Sequence, residues 1–184
     1  RRVEAMKELL EAGGYAVEMD VTNEEQVNKA VDQILQKESK IDVLVNNAGY
    51  GLYGAIEDIP LDDARRQYEV NIFGLAAVTK AVLPSMRAQK AGTIINISSM
   101  GGRMYTPLGA WYHSTKHALE GWSDCLRLDL KEFGIHVVVI QPGIIETEFG
   151  NVVADPLLKY SGTGAYAKLA KSMAEGTKAN YTPG

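Results

Sequence analysis

Ile41-Asp42-Val43-Leu44-Val45-Asn46-Asn47-Ala48-Gly49 is a β-branched, apolar run that stops on two asparagines and a small-residue turn. An apolar run of this length without polar alternation reads as a strand covered on both faces, here over residues 41–45. The same pattern returns twice. Residues 93–97 end in Ser98-Ser99, and residues 135–140 end near Pro142-Gly143. A long helical stretch, about 62–88, separates the first two runs. A second, about 112–133, separates the next two, with Gly134 placed as its C′ residue. Upstream, residues 2–12 read as a helix with Val3, Met6, Leu9 and Leu10 on one stripe, stopped by Gly13-Gly14. Residues 15–19 alternate into a short strand. Thr22-Asn23-Glu24-Glu25 has the form of a capping box and opens a helix over 23–37, with Val27, Val31, Ile34 and Leu35 inward. Strand and helix alternate throughout, which predicts an α/β fold with a doubly wound parallel sheet. Past residue 150 the pattern weakens into short amphipathic pieces. No repeat, linker or low-complexity segment divides the chain, so residues 1–184 read as a single domain.

The chain has 184 residues, a formal net charge of −4, 46% hydrophobic residues, 18 Gly and one Cys. That apolar fraction excludes wholesale disorder. A lone cysteine excludes an internal disulfide and a Cys-based zinc site, and with only three scattered His no metal site is expected. The mildly acidic balance and the lack of a basic run argue against nucleic acid as a partner. No apolar stretch approaches a membrane span. The sequence opens at Arg1-Arg2 without Met and ends at Thr182-Pro183-Gly184; neither end reads as a natural terminus.

Polar residues gather just past the strands: Asp20, Asn46, Ser99 and Thr147. In open α/β sheets ligands bind outside those carboxyl ends, so the chemistry is expected there. Tyr112-His113-Ser114-Thr115-Lys116 carries it. Tyr and Lys at i and i+4 share one helix face. An ammonium beside a phenol favours the phenolate, lowers the Tyr pKa and makes it a usable proton donor and acceptor.

Tyr-x-x-x-Lys alone is a weak motif, but its context is specific. Asn46-Asn47-Ala48-Gly49 ends one strand. Asn71 lies in the next helix, within Val70-Asn71-Ile72-Phe73-Gly74. Ser99 stands thirteen positions before Tyr112, and Pro142-Gly143 follows the last strand. In this order the motifs resemble the classical short-chain dehydrogenase/reductase (SDR) family, over about residues 1–149. The resemblance implies a Rossmann fold and an oxidoreductase that moves a hydride between NADP(H) and a carbonyl or secondary alcohol. It implies Asn71, Ser99, Tyr112 and Lys116 as the catalytic group. Tyr112 is the general acid or base; Ser99 holds the substrate oxygen. Lys116 lowers the Tyr112 pKa and holds the nicotinamide ribose. Asn71 bends its helix and anchors a relay water.

The resemblance also implies the cofactor contacts: Asp20 and Val21 at the adenine, and Asn46, Ala48 and Gly49 along the adenosine side. Pro142 and Gly143 flank the nicotinamide, and Ile145 and Thr147 meet its carboxamide. Arg1 stands where a guanidinium accepts the 2′-phosphate, which favours NADP over NAD. Residues 147–181 are expected to form a lid over the substrate, and Met104, Tyr105, Leu108 and Phe149 hint at an apolar one. The family's glycine-rich phosphate loop and the strands around it are not in this sequence, and the usual C-terminal strand and helices are missing too. It therefore reads as part of a longer polypeptide whose first βαβ segment is absent here, and the strand at 15–19 has no partner.

His113 and His117 are expected at the surface or an interface, His136 in buried packing, and Cys125 as a small apolar filler. Trp111 and Trp122 are expected to pack. The apolar helices 62–88 and 112–133 imply a homodimer or homotetramer. The whole reads as a cytoplasmic enzyme acting on a small ketone or alcohol. Two other readings are a non-catalytic nucleotide-binding scaffold and an SDR-type epimerase or dehydratase.

Overall fold

A computed structural model of the chain describes residues 6–145 and 149–180. Three parallel strands, β1 (Val43–Asn46), β2 (Gly92–Ile97) and β3 (Ile135–Ile140), lie in the order β1-β2-β3. Val43 pairs with Thr93, and Gly92 with Ile135, which brings all three carboxyl ends to one edge. Before the sheet come α1 (Lys7–Glu11) and α2 (Glu24–Glu38). Between β1 and β2 run α3 (Leu61–Tyr68), a π-helical segment (Glu69–Gly74) and α4 (Leu75–Gln89). A 3₁₀ turn (Met100–Gly102) and α5 (Ala110–Asp129) link β2 to β3. Two further helices, α6 (Phe149–Ser161) and α7 (Ala167–Asn180), pack on each other beyond the sheet.

The main core lies between the sheet and its covering helices. Val31, Val82, Met86, Ile94, Leu130, Ile135 and Val137 form it. Met86 and Ile94 are wholly buried, which for side chains of this size is worth about 1.5–3 kcal/mol each. Gly134, at φ +68°, closes the turn into β3, where a Cβ would meet the Lys90 carbonyl oxygen at 2.5 Å. Gly134 thus ends the 3₁₀ turn Lys131–Phe133 and not α5, which stops at Asp129 and caps on Leu130, four residues short of the expected helix end.

Five expectations are corrected. Residues 15–19 form no strand: an isolated extended segment has no ladder to satisfy its backbone. On that side β1 is the edge of the sheet, and Val43 and Val45 are about half exposed. The cap of α2 falls on Asn23, whose side chain accepts from the Gln26 amide, while Thr22 donates through both its amide and its hydroxyl to Asp20 Oδ1. His136 and Cys125 are exposed. In β3 the alternation puts Ile135 and Val137 into the core and His136 on the opposite face. His113 is buried, not superficial, whereas His117 on the next turn is exposed.

Candidate active site

At the carboxyl ends of β1 and β2 a buried polar ladder comes first. Asn46 Nδ2 donates to Thr79 Oγ1 at 3.0 Å and to Asn96 Oδ1 at 2.9 Å, and Asn96 Nδ2 donates to Ser123 Oγ at 2.9 Å. These bonds tie β1 and β2 to α4 and α5. Buried amides are tolerated because each finds a partner.

Asn71 lies in the π-helical segment and is 3% exposed. Its Oδ1 accepts the Tyr50 amide at 3.1 Å. Its Nδ2 donates to the Tyr50 carbonyl at 3.0 Å and to Thr115 Oγ1 at 3.1 Å. One side chain thus fastens the loop after β1 to α5, one residue before Lys116. Gly49 approaches so closely that a Cβ there would stand 3.2 Å from Asn71 Oδ1 and 3.9 Å from Lys116 Nζ.

Tyr112 and Lys116 share the inner face of α5, and both are buried. Lys116 Nζ donates to the Ile97 carbonyl at 2.9 Å and stands 5.9 Å from the Tyr112 ring centroid. Burial pushes the ammonium down to about 8, and the Glu120 carboxylate, one turn on, opposes that fall. Ser99 caps the 3₁₀ turn: its Oγ accepts the Gly101 amide at 3.0 Å. An oxygen that accepts there leaves its own O–H to point elsewhere.

These side chains open on one cavity of about 590 Å³. Ser99, Tyr112, Lys116, Gly49, Pro142, Gly143 and Ile145 all line it. Apolar and aromatic side chains form much of its wall, among them Tyr50, Tyr53, Met104, Val153 and Met173, the last two from α6 and α7. Other expected site residues lie elsewhere. Asn46, Ala48 and Val21 line a separate apolar groove along the β1 edge. Asp20 is engaged with Thr22 and, at 3.4 Å, with Arg66. Of the apolar candidates, Met104 lines the cavity and Leu108 packs against the Tyr53–Tyr112 cluster, while Tyr105 is 83% exposed. Arg1 and Thr147, and the side chain of Phe149, fall outside the described residues.

The sequence reading missed Asn47, Tyr50, Tyr53, Thr106 and His113 among the lining residues. The glycines at 101 and 109 were the available signal, since both pack against the His113 ring.

The family model described as short chain dehydrogenase matches residues 1–156. The chain belongs to the short-chain dehydrogenase family. A 3-ketodihydrosphingosine reductase of Bacteroides thetaiotaomicron is 44% identical over 131 residues, covering 71% of this chain and 49% of that one. An NAD⁺-bound xylitol dehydrogenase superposes with a TM-score of 0.81 at 32% identity, over 96% of this chain and 69% of that one. A gluconate 5-dehydrogenase of Burkholderia cenocepacia J2315, in complex with NADP and tartrate, gives 0.75 at 30%, over 86% and 63%. The chain spans about half the length of the curated relatives it matches. Its three-stranded sheet is accordingly part of the family's Rossmann fold. Among the described residues no helix is long and apolar enough to cross a membrane, and no metal-ligating cluster gathers.

Proposed function

We propose that the protein is an NADP(H)-dependent reductase or dehydrogenase acting on an apolar carbonyl or secondary alcohol. The observation that carries this reading is the convergence of Ser99, Tyr112 and Lys116 on one apolar-walled cavity. The residues present fit the nicotinamide end of such a cofactor. Gly49 offers bare backbone beside Lys116, whose ammonium suits ribose hydroxyls, and Pro142, Gly143 and Ile145 form the facing wall. When bound, the nicotinamide supplies or takes up the hydride.

The chain's own residues handle the proton and the charge. Tyr112 donates its phenolic proton to the substrate oxygen in reduction and takes it back in oxidation. The Lys116 cation favours the resulting phenolate. Ser99, its Oγ already accepting from Gly101, donates its O–H to the same substrate oxygen and stabilises the charge that develops there. Both Asn71 amide protons are spent on Tyr50 and Thr115. A relay water beside Lys116 would therefore be held as a donor, its O–H given to an Asn71 oxygen.

The apolar wall supports a hydrophobic ketone as substrate, in keeping with the similarity to a 3-ketodihydrosphingosine reductase. The test is loss of nicotinamide absorbance when the full-length protein meets NADPH and a panel of ketones. Tyr112→Phe should lower turnover by roughly 10²–10⁴-fold, the worth of a positioned proton donor, with NADPH affinity kept. Near-wild-type turnover in that variant would sink the assignment.

A further inference from the structure

His113 has no part in the reaction outlined above, yet the segment from Ser99 to Gly109 is built around it. It is 6% exposed, in the first turn of α5. The Thr106 amide reaches its Nε2 at 3.2 Å and Thr106 Oγ1 reaches the same nitrogen at 2.9 Å. Its Nδ1 lies 2.9 Å from the Gly101 carbonyl oxygen. These partners determine the tautomer. A backbone N–H can only donate, so Nε2 carries the lone pair. A carbonyl can only accept, so Nδ1 carries the proton. With Nε2 accepting and Nδ1 donating, the ring takes the Nδ1–H tautomer.

Packing closes around the same ring. A Cβ on Gly101 would stand 2.8 Å from Nδ1, and one on Gly109 would stand 2.5 Å from Cδ2. The ring meets Tyr112 and Tyr53 edge-on, with centroids 5.6 and 5.9 Å away. The segment also includes Leu108 at φ +58°, a left-handed conformation unfavourable for a branched side chain, and its carbonyl accepts the Gly54 amide. Such a conformation persists only where its surroundings hold it.

We propose that His113 is the positioning residue that latches this segment, and with it Ser99, against Tyr112. The link to Ser99 is short: His113 holds the Gly101 carbonyl, and the Gly101 amide holds Ser99 Oγ. Thr106 and Met104, on the same segment, line the cavity wall. His113 thereby governs substrate fit and turnover, and leaves cofactor affinity alone. This rests on the reductase reading for its kinetic consequences, but not for its geometry.

The experiment has two arms, both on the full-length protein. In the unmodified protein, ring ¹⁵N shifts of labelled histidine should report a neutral Nδ1–H tautomer for His113; the Nε2–H tautomer or an imidazolium at neutral pH overturns the latch. This arm needs no activity and no variant. In the second, His113→Phe keeps a ring but removes all three hydrogen-bond contacts. It should lower kcat by about tenfold to 10²-fold, the cost of a misplacement near 1 Å, and raise the substrate KM while NADPH affinity holds. His113→Asn, which can still donate to the Gly101 carbonyl, should recover most of kcat while KM stays high. Wild-type kinetics in His113→Phe, or parallel loss of NADPH affinity, would refute the proposal. If His113→Phe does not fold, the tautomer and His113→Asn decide alone. Failure of the reductase reading would show separately, as unimpaired turnover in Tyr112→Phe.

Discussion

Lys116 sits where two electrostatic effects compete. Burial disfavours its charge and lowers its pKa to about 8, while the Glu120 carboxylate raises it. Glu120 is itself buried and held at Oε2 by Gln141 at 2.8 Å and Arg103 at 3.0 Å. The proposed chemistry needs the cation, so activity should fall as pH rises through about 8. In Glu120→Gln the raising influence is gone, Lys116 loses its proton at lower pH, and the alkaline limb of the rate profile should move toward acid. A limb that stays in place, or moves to higher pH, would contradict this coupling. Lys116→Met removes the charge altogether and should damage both turnover and NADPH affinity, read by kinetics and by titration. The proposed preference for NADP rests on another single residue, Arg1. A guanidinium matches a phosphate with two parallel hydrogen bonds, so Arg1→Ala should weaken NADP far more than NAD. Equal losses for the two cofactors would remove Arg1 as the discriminator.

At the scale of elements, legibility followed periodicity. β2 and β3 stand within a residue of their expected bounds, because long apolar runs announce themselves, while α5 begins two residues early and ends four early, where the chain tightens into a 3₁₀ turn. The helix expected over 62–88 is in fact three pieces, since a π-helical segment leaves the apolar period nearly unchanged while widening one turn. Asn71 pointed to a local bend only through family resemblance. Residues 15–19 alternate correctly but form no strand, because a strand is a property of two segments and not of one. His113 was misplaced for a related reason: its burial is imposed by a loop folded over it from residues 101–109. No helical pattern encodes that loop. The π-helical segment has a measurable consequence. Asn71→Ala abolishes three hydrogen bonds and leaves the half-buried Tyr50 amide without that partner, while the Tyr50 carbonyl keeps Gln67 Nε2. The expected cost is about 2–4 kcal/mol of stability, seen as a lowered denaturation midpoint in the full-length protein. A change within about 0.5 kcal/mol, the size of an ordinary surface substitution, would mean the amide does not hold the loop.

For the whole molecule, the open question is what meets the outer faces of α4 and α5. Their inner faces are committed, with Val82 and Met86 of α4 buried in the main core and Leu119 and Ser123 of α5 buried as well. On the outer side of α5, Gly121, Cys125 and Leu128 recur at helical spacing and are all exposed, Leu128 by 74%. Nothing lies within 4 Å of where a Gly121 Cβ would stand, so the helix surface there is flat and open to close approach. Phe73, at the end of the π-helical segment, is 57% exposed. An apolar stripe with a bare glycine suits a second helix better than it suits water. The family resemblance implies that two such helices meet their copies across a twofold axis. That contact is isologous, so it closes as a dimer and can be repeated once as a tetramer. Light scattering on the full-length protein at micromolar concentration should therefore report a dimer or tetramer. Leu128→Glu, which sets a carboxylate against its own copy, should shift it toward monomer with the fold intact by circular dichroism. A wild-type protein that is strictly monomeric would rule out the helix-pair interface, and an unshifted Leu128→Glu assembly would place the contact on another face.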